Sequence, residues 1–257
     1  MAMSMDERRE VIEQMINEEG NVSFVQLKEA FPDVSEMTLR TDLRYLDDQH
    51  LIVRVHGGAK SLGFAVGTDG LMASRRTRRV DQKDRIAREA TKLIRPDTTI
   101  YLDSGSTTTD LAASLDDMRA IVFTNSISVV SALARLEQAR VHVIGGTFNR
   151  FSLDMVGGTA MEMVSKLSFD QFFLGVTTYN DNFGFCCGSD DEAAFKRLLV
   201  RNSGETIVLM DSSKVGRTST FSICPLDAVS TVVTDEGISP AFENRCHAEG
   251  INLIKAH

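Results

Sequence analysis

The sequence predicts a mixed α/β protein of two units, a small helical one at the N-terminus and a larger one built on a mostly parallel sheet. Three observations predict it. Apolar residues recur at helical spacing through the first fifty positions, short β-rich apolar runs alternate with helical segments from residue 80 onward, and a Gly-containing stretch lies between. The 257 residues suffice for two cores. The expected division is 1–60, a linker over 61–79, and 80–257.

Composition narrows the class. Hydrophobic residues make up 42% and charged residues 25%, and no apolar run approaches the roughly 20 residues of a membrane helix. Asp6, Glu7 and Arg8 bring charge at once, so no signal peptide is expected and a cytoplasmic location is. Cys186, Cys187, Cys224 and Cys246 lack CxxC spacing, and His50, His56, His142, His247 and His257 are scattered. Neither a metal site nor a disulfide framework is expected, no cofactor is implied, and the cysteines read as buried thiols. A net charge of −8 opposes nucleic acid as a partner of the molecule as a whole.

Residues 5–19 place Val11, Ile12, Met15 and Ile16 on one face of an amphipathic helix that Gly20 is expected to end. Ser23 with Gln26 has capping-box spacing, and Phe24, Leu27, Ala30 and Phe31 form the apolar face of a short second helix stopped by Pro32 and Asp33. Ser35 caps a third helix, in which Leu39, Leu43 and Leu46 face inward. At about 100° per residue, Met37, Arg40, Thr41 and Arg44 then face outward. Two short helices joined by a tight turn, the second presenting arginines and small polar groups, fit a helix-turn-helix whose later helix enters the DNA major groove. The alternative is a plain three-helix unit of the kind that binds protein, and the periodicity favours DNA. Residues 51–59 alternate apolar with polar and end in Gly57 and Gly58, the pattern of a small β-hairpin wing.

Between Asp6 and Lys60 there are seven Lys/Arg and twelve Asp/Glu, which opposes the counterion release that drives DNA affinity. Positive charge serving DNA must therefore be local. The expected contacts are Ser35, Glu36, Met37, Thr38, Arg40, Thr41 and Arg44 on the third helix, with Arg54 and His56 in the wing. Arg75, Arg76, Arg78 and Arg79 either contact phosphates or solvate a helix start.

From residue 80, Ile86, Ala90, Leu93 and Ile94 give a helical face. Strands are expected at 98–103, 120–124, 141–145, 172–176, 206–211 and 229–234, with helices beginning near Thr108, Ser126, Thr159, Asp190 and Pro240. Such alternation predicts a Rossmann-like, largely parallel sheet with helices on both faces. After the first strand, Asp103-Ser104-Gly105-Ser106-Thr107-Thr108 reads either as an ordinary helix cap or as an anion cradle of loop amides at a positive helix end. Small polar residues also follow later strands, at Thr124-Asn125-Ser126, Gly145-Gly146-Thr147, 175–178 and Asp211-Ser212-Ser213-Lys214. Open α/β sheets place ligands at the carboxyl ends of their strands, so five such loops favour the cradle. Arg150, Lys196 and Lys214, beyond those loops or on a following helix, supply cations for an anion. The expected ligand contacts are Asp103, Ser104, Gly105, Ser106, Thr107, Thr108, Thr124, Asn125, Gly145, Gly146, Arg150, Glu192, Lys196 and Lys214.

The run Val34-Ser35-Glu36-Met37-Thr38-Leu39-Arg40-Thr41-Asp42-Leu43, then Arg54-Val55-His56-Gly57-Gly58-Ala59, the helix over 83–94, and the strand-end loops in this order resemble the DeoR family of bacterial transcriptional repressors over nearly the whole chain. The resemblance implies a winged helix-turn-helix bound to operator DNA, joined to a sensor domain similar to ribose-5-phosphate isomerase. It further implies a phosphorylated sugar or polyol as effector and a carbohydrate or polyol catabolic operon as target. Two-fold operators imply a homo-oligomer, dimer or tetramer. Two departures stand out. Thr41 occupies a place where the family usually has a second arginine, and the segment 175–181 lacks the glycine commonly found near Thr178. The alternative is an isomerase-like enzyme, for which Asp181, Asp190, Asp191, Glu192 and Lys196 would supply acids and bases. The isomerase's Asp-Gly-Ala-Asp-Glu cluster and Lys-Gly-Gly-Gly run are absent, so binding without turnover is expected.

Overall fold

The computed structural model describes residues 3–19, 21–55, 57–61, 72–217 and 219–257. Gly20, His56 and most of the expected linker, 62–71, lie outside the described residues. Contacts divide the chain into two compact units, Met1–Arg78 and Arg79–His257.

In the first unit α1 (Met5–Glu19), α2 (Phe24–Ala30) and α3 (Glu36–Asp48) pack Ile12, Ile16, Leu27, Leu39, Leu43 and Leu46 into one core. The caps follow the sequence spacing. Ser23 accepts the Gln26 N–H while the Gln26 side chain accepts the Ser23 N–H, and Ser35 accepts the Thr38 N–H at 3.1 Å. β2 (Ile52–Val55) and β3 (Gly58–Ser61) form the expected antiparallel hairpin. A strand not expected, β1 (Asn21–Ser23), is too short to show a period and pairs with β3 in the order β1-β3-β2. Glycine at 58 permits that approach, because a Cβ there would lie 2.2 Å from the Val22 carbonyl oxygen. Within the stretch expected as linker, α4 (Met72–Thr77) is helical, and Arg78 just beyond it donates to the Asn17 carbonyl of α1.

The second unit is a seven-stranded parallel sheet ordered β15-β14-β12-β9-β4-β5-β6. Its strands are β4 (Thr99–Leu102), β5 (Ile121–Thr124), β6 (Arg140–Val143), β9 (Phe169–Gly175), β12 (Ser203–Leu209), β14 (Thr231–Asp235) and β15 (Asn252–Ala256). Because successive side chains alternate, each strand feeds two cores. Ile100, Leu102, Phe173, Ile207 and Val233 pack with α5 (Val80–Thr91), α6 (Ser106–Ser114) and α7 (Ile127–Leu133). Tyr101, Phe172, Leu174, Val208 and Val232 pack with α8 (Gly158–Val164), α9 (Asp190–Arg201) and α10 (Pro240–Ala248). Helices cover both faces, as the alternation predicted.

Several edges differ from the expectation. The strands expected at 172–176 and 206–211 begin at Phe169 and Ser203, where Ser203, Glu205 and Thr206 pair with Phe169, Gln171 and Phe172. Polar residues join a ladder through backbone bonds that composition does not reveal. The helix expected near Thr108 starts at Ser106. Edge strand β15 went unforeseen because Asn252 and Lys255 interrupt its apolar signal. Also unforeseen were the hairpin of β7 (Thr147–Asn149) and β8 (Asp154–Val156), and the antiparallel sheet of β10 (Thr178–Asn180), β11 (Gly184–Cys187) and β13 (Phe221–Cys224), all short. All four cysteines are buried free thiols, as their spacing suggested. No helix among the described residues is long and apolar enough to cross a membrane.

Candidate functional site

The chain lays β4, β5 and β6 outward to one side, then returns to place β9, β12, β14 and β15 on the other, so strand order reverses between β4 and β9. Loops diverge at such a reversal and leave a crevice beyond the strand ends. Asp103, at the end of β4, is buried there. Its Oδ2 accepts the Gly175 N–H from the end of β9 at 2.9 Å, and its Oδ1 accepts the Ser104 N–H at 2.8 Å. Lys196 of α9 reaches Asp103 Oδ2 at 2.9 Å, Glu192 Oε1 at 2.7 Å and the Gly175 carbonyl oxygen at 2.7 Å. These contacts employ all three ammonium protons. Lys196, expected as an anion-holding cation, is thus placed as a buried clamp joining β4, β9 and α9. Burial pushes the Asp103 carboxyl up to about 6 against the pull of Lys196. Burial alone would lower Lys196, but Asp103 and Glu192 outweigh it and hold the ammonium above the ordinary lysine value.

Gly105 precedes α6 and offers no side-chain cap. The first-turn N–H groups of Ser106 and Thr107 therefore have neither an intrahelical partner nor a capping oxygen. Ser106 and Thr107 are half-buried, whereas Thr108 and Thr109 turn inward and donate to the Gly105 carbonyl at 3.1 and 2.6 Å. Buried Thr124 accepts the Ser126 N–H at 3.1 Å, and buried Asn125 accepts the Tyr101 phenol at 3.1 Å while donating to the Met155 carbonyl at 2.9 Å. Gly145 and Gly146 carry the chain from β6 into β7. A Cβ on Gly146 would lie 2.6 Å from the Val156 carbonyl oxygen, so the hairpin closes only on glycine. Arg150 is exposed in the hairpin turn, and Lys214 ends the 3-10 turn Ser212–Lys214 after β12, two strands from β4 in the sheet order.

Asp154 had not been singled out. It is buried, with Ser104 Oγ donating to its Oδ2 at 2.7 Å and Ser152 Oγ to its Oδ1 at 2.5 Å. Burial raises its carboxyl against those two serine bonds. Ser104 and Asp154 are 50 residues apart, and nothing local signals their contact. The phenol of Tyr101 in an otherwise apolar strand was the one visible sign of a polar layer beneath the loops. Among the described residues no group of three or more His, Cys, Asp or Glu is arranged to hold a metal ion.

On α3, Ser35, Glu36, Met37, Arg40, Thr41 and Arg44 are exposed and Thr38 is half-buried. Ser35 and Thr38 hydroxyls bond each other at 2.8 Å, and Thr41 Oγ1 donates to the Met37 carbonyl at 2.9 Å. The Arg40 guanidinium lies 4.3 Å over the Phe24 ring and 3.7 Å from Glu36. Exposed Arg54 is fixed by its N–H, which donates to Asp47 at 3.1 Å. Asp42, on the leucine face of α3, is buried and accepts Arg8 at 2.7 Å and Arg9 at 2.9 Å. Arg8 and Arg9 are thereby committed to the fold, which leaves Arg40, Arg44 and Arg54 facing solvent. Here a signal existed: Asp42 shares the helical-wheel face of Leu39, Leu43 and Leu46.

A helix-turn-helix unit with exposed arginines, followed by an α/β unit whose strand order reverses beside a cluster of polar loops, fits a DNA-binding regulator with a sensor domain. Residues 8–63 match the family described as DeoR-like helix-turn-helix domain, and residues 78–236 match the DeoR C terminal sensor domain. The chain belongs to the DeoR family of transcriptional regulators. It is similar to a putative aga operon transcriptional repressor of Escherichia coli O157:H7, 31% identical over 250 residues covering 96% of this chain and 93% of that one. A lactose phosphotransferase system repressor of Staphylococcus aureus (strain N315) is 30% identical over 235 residues, 91% of this chain and 93% of its own. Among solved structures, ribose 5-phosphate isomerase A from Methanocaldococcus jannaschii overlaps 53% of this chain and 54% of its own at 18% identity and a TM-score of 0.39.

Proposed function

We propose that the chain is a homo-oligomeric repressor of a carbohydrate or polyol catabolic operon. In this reading Ser35, Glu36, Met37, Thr38, Arg40, Thr41 and Arg44, with Arg54 and His56 of the wing, meet operator DNA. A phosphorylated sugar or polyol binds the second unit, its phosphate on the amides and hydroxyls of Ser106 and Thr107, with Gly145, Gly146, Arg150 and Lys214 around it. The observation that carries the reading is the first turn of α6, which has no side-chain cap and lies beside the strand reversal, where the positive helix end favours an anion. Glu192, with 19% of its side chain exposed, is the carboxylate of the buried cluster that can accept a sugar hydroxyl. Binding occurs without turnover. All three protons of Lys196 bond within the protein and both Asp103 oxygens accept protein N–H groups, so neither is poised to move a proton.

The test joins two measurements. In a thermal-shift screen of phosphorylated sugars and polyols, one class raises the melting temperature in proportion to affinity and concentration, and the same ligand changes the mobility shift of DNA from the gene's own upstream region. A protein that shifts no such DNA, or that isomerises ribose 5-phosphate, defeats the proposal.

A further inference from the structure

We propose that the edge strand β6, together with the β7–β8 hairpin, is the surface on which a second copy of this chain docks. The inference deepens the homo-oligomer reading above and rests on it.

Among the described residues β6 ends the seven-stranded sheet and pairs only with β5. In that parallel ladder the Arg140 N–H donates to the Ala120 carbonyl and the Ile144 N–H to the Thr124 carbonyl, each at 2.9 Å. Even-numbered residues therefore turn their backbone toward β5, and Val141 and Val143 turn theirs to the open edge. Proteins usually blunt such edges with lysine, proline or a bulge. The opposite edge, β15, carries Lys255; β6 is Arg140-Val141-His142-Val143, has no proline, and directs the backbone of its arginine inward.

Exposed apolar side chains gather beside this edge, among the exposed Arg140, His142, Thr147 and Arg150. Phe151 is 62% exposed and Phe148 51%, both on the hairpin that follows β6, and Val143 is 44% exposed on the strand itself. The Met163 sulfur of α8 lies 4.0 Å from where a Gly145 Cβ would stand, so one further half-exposed apolar side chain adjoins it. Two half-exposed phenylalanines contribute on the order of 200 Å². With Val143 and Met163 the apolar area is roughly 350 Å², most of the apolar half of the roughly 800 Å² each partner buries in a standard interface.

A second copy is the occupant that satisfies this geometry. Antiparallel pairing of β6 with β6 across a two-fold axis is self-complementary, fills both open edges at once, and brings each hairpin against the other copy. A single peptide strand would fill the edge and leave the phenylalanines bare. The hairpin is also bonded to the loops proposed to hold the effector, through Ser104 to Asp154 and through the Met155 N–H to the Asn125 carbonyl at 2.9 Å, so copies meeting here would be joined to the sensing loops by hydrogen bonds.

Sedimentation of the full chain, without DNA or ligand, tests the surface. The wild type should sediment as a dimer or a multiple of it at micromolar concentration, and Phe148→Asp with Phe151→Asp should weaken the dimer at least about 100-fold, while Phe183→Asp, at another apolar residue that is 57% exposed, leaves the mass unchanged. Val143→Cys treated with a short bismaleimide should give a covalent dimer, whereas the wild type, whose four cysteines are buried, gives none. This second measurement holds even if the double variant misfolds. A wild-type oligomer that survives the double substitution, or that Val143→Cys does not link, overturns the surface while the oligomer reading stands. A monomeric wild type overturns both.

Discussion

Lys196 Nζ lies 2.9 Å from Asp103 Oδ2, with only 3% and 1% of the two side chains exposed. A pair so shielded is a structural commitment of the sensing unit, because removing one member strands the other charge in a medium that solvates it poorly. Lys196→Met should therefore lower stability by roughly 3–5 kcal/mol. Glu192→Gln, at a partly exposed partner, should cost only about 1 kcal/mol. Chemical denaturation of the two variants checks the ranking, and equal losses would remove Asp103 as the main partner.

The same pair makes a pH prediction. Because the folded chain holds the Asp103 carboxyl at about 6, above its value in an unfolded chain, the native state binds that proton more tightly. The resulting stabilisation is complete below about pH 4 and is lost as pH rises through about 6. The stability of wild type relative to Asp103→Asn should accordingly fall by on the order of 3 kcal/mol between about pH 4 and 7. Urea titrations at several pH values measure it; a difference that stays flat would show that Asp103 titrates normally.

For DNA, each arginine on a phosphate adds to the salt dependence of binding. Arg44→Ala should weaken operator binding and reduce the slope of log affinity against log salt by roughly 0.9. Thr41→Arg, which adds a cation to the same exposed face of α3, should raise the slope by a similar amount. Fluorescence anisotropy at four salt concentrations distinguishes these outcomes from unchanged slopes, which would place both positions off the DNA backbone.

Asp42 makes a separate prediction about the first unit. It is buried between Arg8 at 2.7 Å and Arg9 at 2.9 Å, so Asp42→Asn should destabilise that unit by about 2–3 kcal/mol without touching the exposed face of α3. Calorimetry should show one of two transitions moving down. A single unchanged melt would mean that the bridge contributes nothing.

Much of the framework is readable residue by residue. Ser23 and Ser35 cap helices, Leu39, Leu43 and Leu46 form a stripe, and glycine, serine and threonine collect at strand ends, because each of these acts over one or two turns of chain. Less was readable where the cause is remote. β1 and β15 exist through pairing with β3 and β14, and the polar beginning of β12 is a strand because β9 lies beside it.

The candidate site divides along the same line. By itself the sequence determined that Asp103 to Thr108 would be a strand-end loop opening a helix, and that several similar loops would gather at one end of a sheet. Only the tertiary structure decided that Asp103 meets the Gly175 N–H, 72 residues away, that Ser104 meets Asp154 after 50, and that Lys196 is enclosed as a clamp while Ser106 and Thr107 remain half-buried at the start of α6. The physical reason is range: propensity, capping and periodicity are properties of neighbouring residues, whereas a buried charge acquires its partners, and hence its role, from the order in which distant strands enter the sheet.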